Sequence, residues 1–183
     1  MKPRALLLVA VAALVCAVVA AQTPTSQPAE DATAAATAAV IAAGKLPPGY
    51  RDWRLISVAR EEGDLDDIRA VLGNDIAIKA YRDGTRPFPD GTIIARLAWA
   101  LVSSEENNKS FGNAQSFVAG PPKNGVQFMV KDSNRYAATG GWGYSQFDDG
   151  KPLTDAAMLQ SCFDCHQVVK EKDRDFLFTH YAP

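Results

Sequence analysis

The sequence predicts a mainly β protein of the α+β class, with a sheet in the middle of the chain and a helix near the C-terminal end. Three observations carry this. Across residues 92–102 the side chains alternate, and both faces so formed are mostly apolar, which marks a central strand covered on both sides. Shorter alternating runs at 53–60, 126–131 and 142–147 are separated by Gly, Pro, Asn and Asp clusters and supply further strands. Finally, the run Cys162-Phe163-Asp164-Cys165-His166 follows a segment with helical rather than alternating character.

Taken in order, residues 1–21 read as a secretory signal peptide. Lys2 and Arg4 make a basic start, residues 5–19 are apolar, and Ala20-Ala21 offers small residues for cleavage. The apolar run is short for a membrane span; an uncleaved anchor is the alternative. Cys16, between Val15 and Ala17, does not make a lipoprotein cleavage box. Residues 22–30, rich in Thr, Ser, Pro and Gln, predict a flexible lead-in. Residues 31–43 are Ala-rich and predict a helix capped by Asp31, stopped by Gly44, and docked loosely because its apolar face is weak. Pro47-Pro48-Gly49 closes it. Residues 49–183 then form one domain, long enough for a sizeable core.

Within that domain, Trp53 and Leu55 face away from Arg54 and Ile56 on the first strand. Acidic residues 61–67 make a turn, and 68–72 a short strand with Arg69 and Val71 on one face. Asn74-Asp75 caps a helix over 76–82 that ends at Asp83-Gly84. Phe88-Pro89-Asp90-Gly91 is a turn. On the following central strand Ile93, Ala95, Leu97, Trp99 and Leu101 share one face, and Ile94, Arg96, Ala98, Ala100 and Val102 the other. An unpaired charge on such a strand is costly, so Arg96 faces something specific. Residues 103–123 are polar and punctuated by Gly and Pro, and predict a loop. The alternation at 176–181 predicts a last strand. Lys131-Asp132 reads as a surface feature and His180 as a packed residue.

The 183-residue chain has a formal net charge of −2 and becomes more acidic once Lys2 and Arg4 are removed. No basic stripe forms, so nucleic acid is not an expected partner. Of three cysteines, two survive removal of the signal, and both lie in the C-terminal run.

That run has the spacing Cys-x-x-Cys-His, the attachment signature of a c-type haem. The chemistry needs two thiols to form thioethers and an imidazole to bind iron. On a helix, residues three and four apart share a face, so Cys162, Cys165 and His166 project together. Pro152 precedes this helix and Thr154 or Asp155 caps it. Three other readings use the same residues. A thioredoxin-like pair needs a βαβ frame, which the pattern lacks. A zinc site needs four ligands, and only His180 remains to join the three. A Cys162–Cys165 disulfide is compatible with export.

The ordered set Asp67-Ile68-Arg69, Asn74 to Asp83, Phe88-Pro89-Asp90-Gly91-Thr92, Val130-Lys131-Asp132-Ser133, Gly141-Trp142, Cys162 to His166 and Phe178 to Pro183 resembles the cytochrome P-460 family, which includes the cytochromes c′-beta. The resemblance implies an antiparallel β-sheet body with packed helices, a periplasmic location, often a homodimer, and one haem c. His166 is the implied axial ligand, with the opposite face open. It also implies a lysine bonded to the haem in hydroxylamine-oxidising members. Here that position holds Arg96, whose delocalised guanidinium stays protonated and is a poor nucleophile. Lys79 is the nearest other lysine, on the helix over 76–82. The family's acidic distal residue corresponds to Gln127, whose amide takes no proton at useful pH. Arg69 matches the distal arginine; it can equally pair with a haem propionate or with Asp66 and Asp67.

Three functions follow as expectations. The first is a periplasmic mono-haem protein that binds nitric oxide or a similar small nitrogen oxide at an open site lined by Arg69, Arg96 and Gln127. The second is a haem oxidoreductase that oxidises hydroxylamine and passes electrons to a periplasmic c-type acceptor. The third is a six-coordinate electron-transfer cytochrome with Met129 or His180 as sixth ligand.

Overall fold

A computed structural model describes residues 27–171 and 173–182. The expected signal peptide and the first part of the lead-in lie outside these residues. The described chain forms α1 (Gln27–Ala42), β1 (Arg54–Glu61), β2 (Asp67–Gly73), α2 (Asp75–Asp83), β3 (Ile93–Ser103), α3 (Glu105–Phe111), β4 (Phe117–Lys131), β5 (Trp142–Asp148), β6 (Lys151–Pro152) and α4 (Ala156–His166). The six strands make one sheet in chain order, every neighbour antiparallel. The mainly β, α+β class and the antiparallel body are therefore as the sequence indicates. No described helix is long and apolar enough to cross a membrane.

The sheet is apolar on both faces, as the composition of the central strand requires. One face buries Ile93, Ala95, Leu97, Val126, Phe128 and Phe147 with Ile41 of α1. The other buries Val71, Ile94, Met129 and Trp142 with Ala77, Ile78, Ala80 and Tyr81 of α2 and with Leu177. α4 and residues 176–181 lie on this second side. The alternation in β3 therefore separates two cores, and Arg96 belongs to the second.

Asn74 joins α2 to the sheet. Its Oδ1 accepts from Ala77 N at 3.0 Å and Ile93 N at 3.1 Å, while its Nδ2 donates to Gly91 O at 2.8 Å. One side chain thus satisfies an orphan amide of the helix and fixes the start of β3. Gly84, at φ 64°, ends α2.

Several expectations are corrected. α1 starts at Gln27, so part of the lead-in is helical; Pro28 sits in the first turn, where its missing N–H costs nothing. Residues 103–123 are not a loop. Ser104 caps α3, and 117–122 pair with the end of β3. This hairpin extends beyond the core, so burial imposes no alternation on it. Its outer part has no β5 partner, which leaves an edge tolerant of Pro121 and Pro122. Residues 176–181 form no strand; Phe176 ends a turn and no regular structure follows it. They cross α2, with Tyr81 Oη donating to Thr179 O at 3.2 Å and Ala182 N donating to Ile56 O at 2.9 Å. Lys131 is buried, not a surface residue, whereas His180 is exposed rather than packed.

A bulge breaks the β3–β4 ladder where Leu97 pairs with Val126 but Trp99 pairs with Pro122. Gly125 within it has φ 57°, and a Cβ there would stand 1.9 Å from Phe147 O. Gly125→Ala is therefore expected to destabilise the fold by more than about 1 kcal/mol, measured by denaturant unfolding. A stability equal to the parent's would show that the bulge is not required. From the same bulge, Lys123 Nζ donates to Leu65 O at 2.7 Å and Asp66 O at 2.9 Å, which ties down the loop leading into Asp67.

Candidate haem site

α4 is capped by Asp155, whose Oδ1 accepts from Ala157 N at 2.9 Å and Met158 N at 3.2 Å. None of its residues is fully buried, and Met158 is exposed. Cys162 is half-buried, Cys165 is exposed, and both are free thiols. His166 is the last residue of α4. Its Nδ1 lies 2.6 Å from Phe176 O. A carbonyl can only accept, so Nδ1 carries the hydrogen and Nε2 keeps its lone pair. Tyr144 and Phe178 hold the ring from two sides, at centroid separations of 5.4 and 5.2 Å. Burial lowers the His166 pKa, and the Arg96 charge adds to that, partly offset by the bond to Phe176.

A cavity of about 100 Å³ lies between this helix and the sheet, with Cys162 and His166 on one side and Arg69, Arg96 and Gln127 on the other. Sheet register explains the second wall. Arg96 is the cross-strand neighbour of Val71 on β2 and Gln127 on β4, and Gln127 is the neighbour of Gln146 on β5. Side chains in such a row point to one face. They form a chain of hydrogen bonds: Arg96 Nη1 donates to Gln127 Oε1 at 2.7 Å, and Gln127 Nε2 donates to Gln146 Oε1 at 2.8 Å.

Asp67 anchors this wall, although the acidic stretch that it ends reads as a turn. It is fully buried. Its Oδ1 accepts from Arg69 Nε at 2.8 Å and its Oδ2 pairs with Arg96 Nη2. Glu61 Oε1 lies 3.7 Å from Arg69 Nη1. Burial lowers the Arg96 pKa and the neighbouring Arg69 charge lowers it further, against which Asp67 acts. The alternating pattern of β2, which places 67, 69 and 71 on one face, was the available signal.

All three expected distal residues thus line one cavity with Cys162 and His166, while Cys165 is exposed and does not line it. Lys79 does not: it is exposed on α2 and paired with Asp83. Met129 lines the cavity; His180 does not.

The residues present fit a haem. Two free thiols and an imidazole with one nitrogen available stand on one turn of helix. Two buried donors that line the cavity, Arg69 Nη2 and Tyr144 Oη, have no protein partner, and such groups are costly unless something satisfies them. At about 100 Å³ the cavity as it stands is smaller than a porphyrin, and the group would need further room beside α4, a helix that buries no residue completely.

A sequence search against curated proteins finds no match. A family model described as Cytochrome P460 matches residues 47–179, which takes in the whole sheet, both walls of the cavity and the Cys-x-x-Cys-His helix. The chain belongs to the cytochrome P460 family of c-type haem proteins.

Proposed function

We propose that this chain is an exported mono-haem protein that binds a small nitrogen oxide such as nitric oxide at an open distal site. Residues 1–21 direct export to the periplasm. Cys162 and Cys165 carry the haem by thioether bonds, and His166 is the only protein ligand to its iron. The haem supplies an iron with a vacant coordination position; everything else is the work of side chains.

The observation that carries the reading is the make-up of the wall facing His166. It carries Arg69, Arg96 and Gln127 among apolar neighbours such as Val71, Ile94 and Met129, and no Lys, Asp or Glu lines the cavity among the described residues. Gln127 turns its oxygen to Arg96 and its amino group to Gln146, so it is spent within the row. Arg69 Nη2, with Tyr144 Oη, is a donor left over. Such a wall stabilises negative charge on a bound diatomic ligand. It has no group that takes a proton from hydroxylamine, since both Asp67 oxygens are held by guanidinium groups.

Digestion followed by mass spectrometry tests the attachment. Haem is expected on the peptide spanning Cys162 to His166 and on no other. A second peptide attached through Arg96 or Lys79, together with turnover of hydroxylamine by a c-type acceptor, would establish the oxidoreductase reading instead. The ferrous protein should show high-spin five-coordinate bands that convert on adding nitric oxide. Low-spin bands before any addition would point to Met129 as a sixth ligand and to electron transfer.

A further inference from the structure

The proximal side contains a buried ion pair for which ligand binding gives no reason. Lys131 Nζ lies 3.0 and 3.1 Å from the two oxygens of Asp175, and both residues are buried. Asp175 also accepts from Phe88 N at 2.7 Å and from Trp142 Nε1 at 3.4 Å. Lys131 Nζ donates as well to Gly140 O at 3.1 Å and stands 4.9 Å from the Trp142 ring centroid. Replacing such a pair by apolar groups is often neutral for stability, so stability alone is a weak reason for it.

Its position supplies the reason. Asp175 and the next residue, Phe176, both have positive φ, at 45° and 66°. Two successive non-glycine residues in the left-handed region are strained unless their surroundings hold them there. The holding groups are the carboxylate contacts just described, the bonds from Asp175 N to Glu171 O at 2.7 Å and from Phe176 N to Val169 O at 2.9 Å, and the Phe176 ring stacked on Phe163. Gly140 is part of the same fit, because a Cβ there would meet the Phe176 ring at 2.3 Å. What this turn presents is the Phe176 carbonyl, the acceptor for His166 Nδ1 at 2.6 Å.

We infer that the Lys131–Asp175 pair is a positioning device for the proximal histidine: it clamps the left-handed turn at Asp175 and Phe176 to the end of β4, so that the Phe176 carbonyl fixes the tautomer and angle of the His166 ring. This rests on the reading of His166 as the iron's ligand. A strong Nδ1–H···O bond makes the imidazole a better donor through Nε2. The clamp therefore stiffens the iron–histidine bond and favours the ferric form.

The test uses the full haem-loaded protein. Resonance Raman of the ferrous form reads the iron–histidine stretching band, and a redox titration reads the potential. Asp175→Asn and Lys131→Met are each expected to move the band to lower frequency and the potential upward. Lys131→Arg, which keeps the charge, is expected to recover most of the parental band. Phe147→Leu, a destabilising change on the opposite face of the sheet, serves as the control and is expected to leave the band in place. Should Asp175→Asn or Lys131→Met prove too unstable to purify, Trp142→Phe, which removes the 3.4 Å bond to Asp175 and keeps a ring beside Phe88 and Lys131, is read in the same way with a smaller shift. Variants that lose stability while keeping the parental band and potential would overturn the inference. A parent protein with no iron–histidine band would instead refute the axial role of His166, a separable result.

Discussion

His166→Ala is expected to leave the haem attached to the chain while abolishing its parental visible spectrum. In the proposed assignment the thioether bonds involve Cys162 and Cys165 and do not use the imidazole, whereas the iron loses the one protein ligand assigned to it. Changes in the groups behind a metal ligand cost about 10–100-fold in affinity or activity, so loss of the ligand itself should weaken binding of a diatomic molecule by on the order of 100-fold or more. Folding should suffer less. The ring makes two aromatic contacts, with Tyr144 and Phe178, each worth about 0.5–1.5 kcal/mol, and it sits on a helix with no fully buried residue. His166→Gly, which leaves space for a ligand from solution, is expected to regain part of the spectrum when imidazole is added. If His166→Ala kept the parent's absorption and ligand affinity, the proximal assignment would be wrong, and the distal wall would lose its meaning with it.

How far the sequence reveals this site depends on what fixes each residue. The attachment run is local: its spacing alone puts two thiols and an imidazole on one turn, and no long-range contact is needed to see it. The distal wall was legible through period two, because β3 is apolar on both faces and one arginine within it demands a partner. That Gln127 lies beside Arg96 follows from the β3–β4 register, which burial on both faces makes strict. Asp67 was harder. It lies at the end of an acidic stretch that reads as a turn, and the pairing of Glu61 with Asp67 at the end of the β1–β2 ladder shows that the strand has already begun. Lys131 and Asp175 are 44 residues apart, and nothing in either neighbourhood announces the other. The exposed hairpin around α3 was missed for the opposite reason. With neither face buried, no alternation is imposed, and Pro and Gly dominate the pattern. Residues 176–181 alternate in sequence yet join no ladder; they pack against α2, where Tyr81 Oη donates to Thr179 O.

Asp67→Ala is expected to be among the most destabilising single changes in the protein. Arg69 and Arg96 are 14% and 16% exposed at their side chains, and Asp67 is the one residue paired to both. Removing one partner from a buried pair costs about 3–5 kcal/mol, because the remaining charge has no compensation. Here two like charges remain, with only half-exposed Glu61 at 3.7 Å to balance Arg69. Denaturant unfolding should report a loss on that order, and the melting temperature should fall by roughly 10 °C, at about 2–4 °C per kcal/mol for a chain of this size. By contrast Arg60→Ala, which removes a pair with exposed Asp66, should cost no more than about 1 kcal/mol. A triple change of Asp67→Leu, Arg69→Met and Arg96→Leu separates stability from function. Apolar groups of similar volume leave no orphaned charge, so folding should recover much of what Asp67→Ala loses. The arginine donors that line the cavity are then gone, and, on the proposed function, nitric oxide should dissociate faster than from the parent. A triple variant that retained the parental dissociation rate would mean that the two arginines serve the fold alone, and the polar wall opposite His166 would need another purpose.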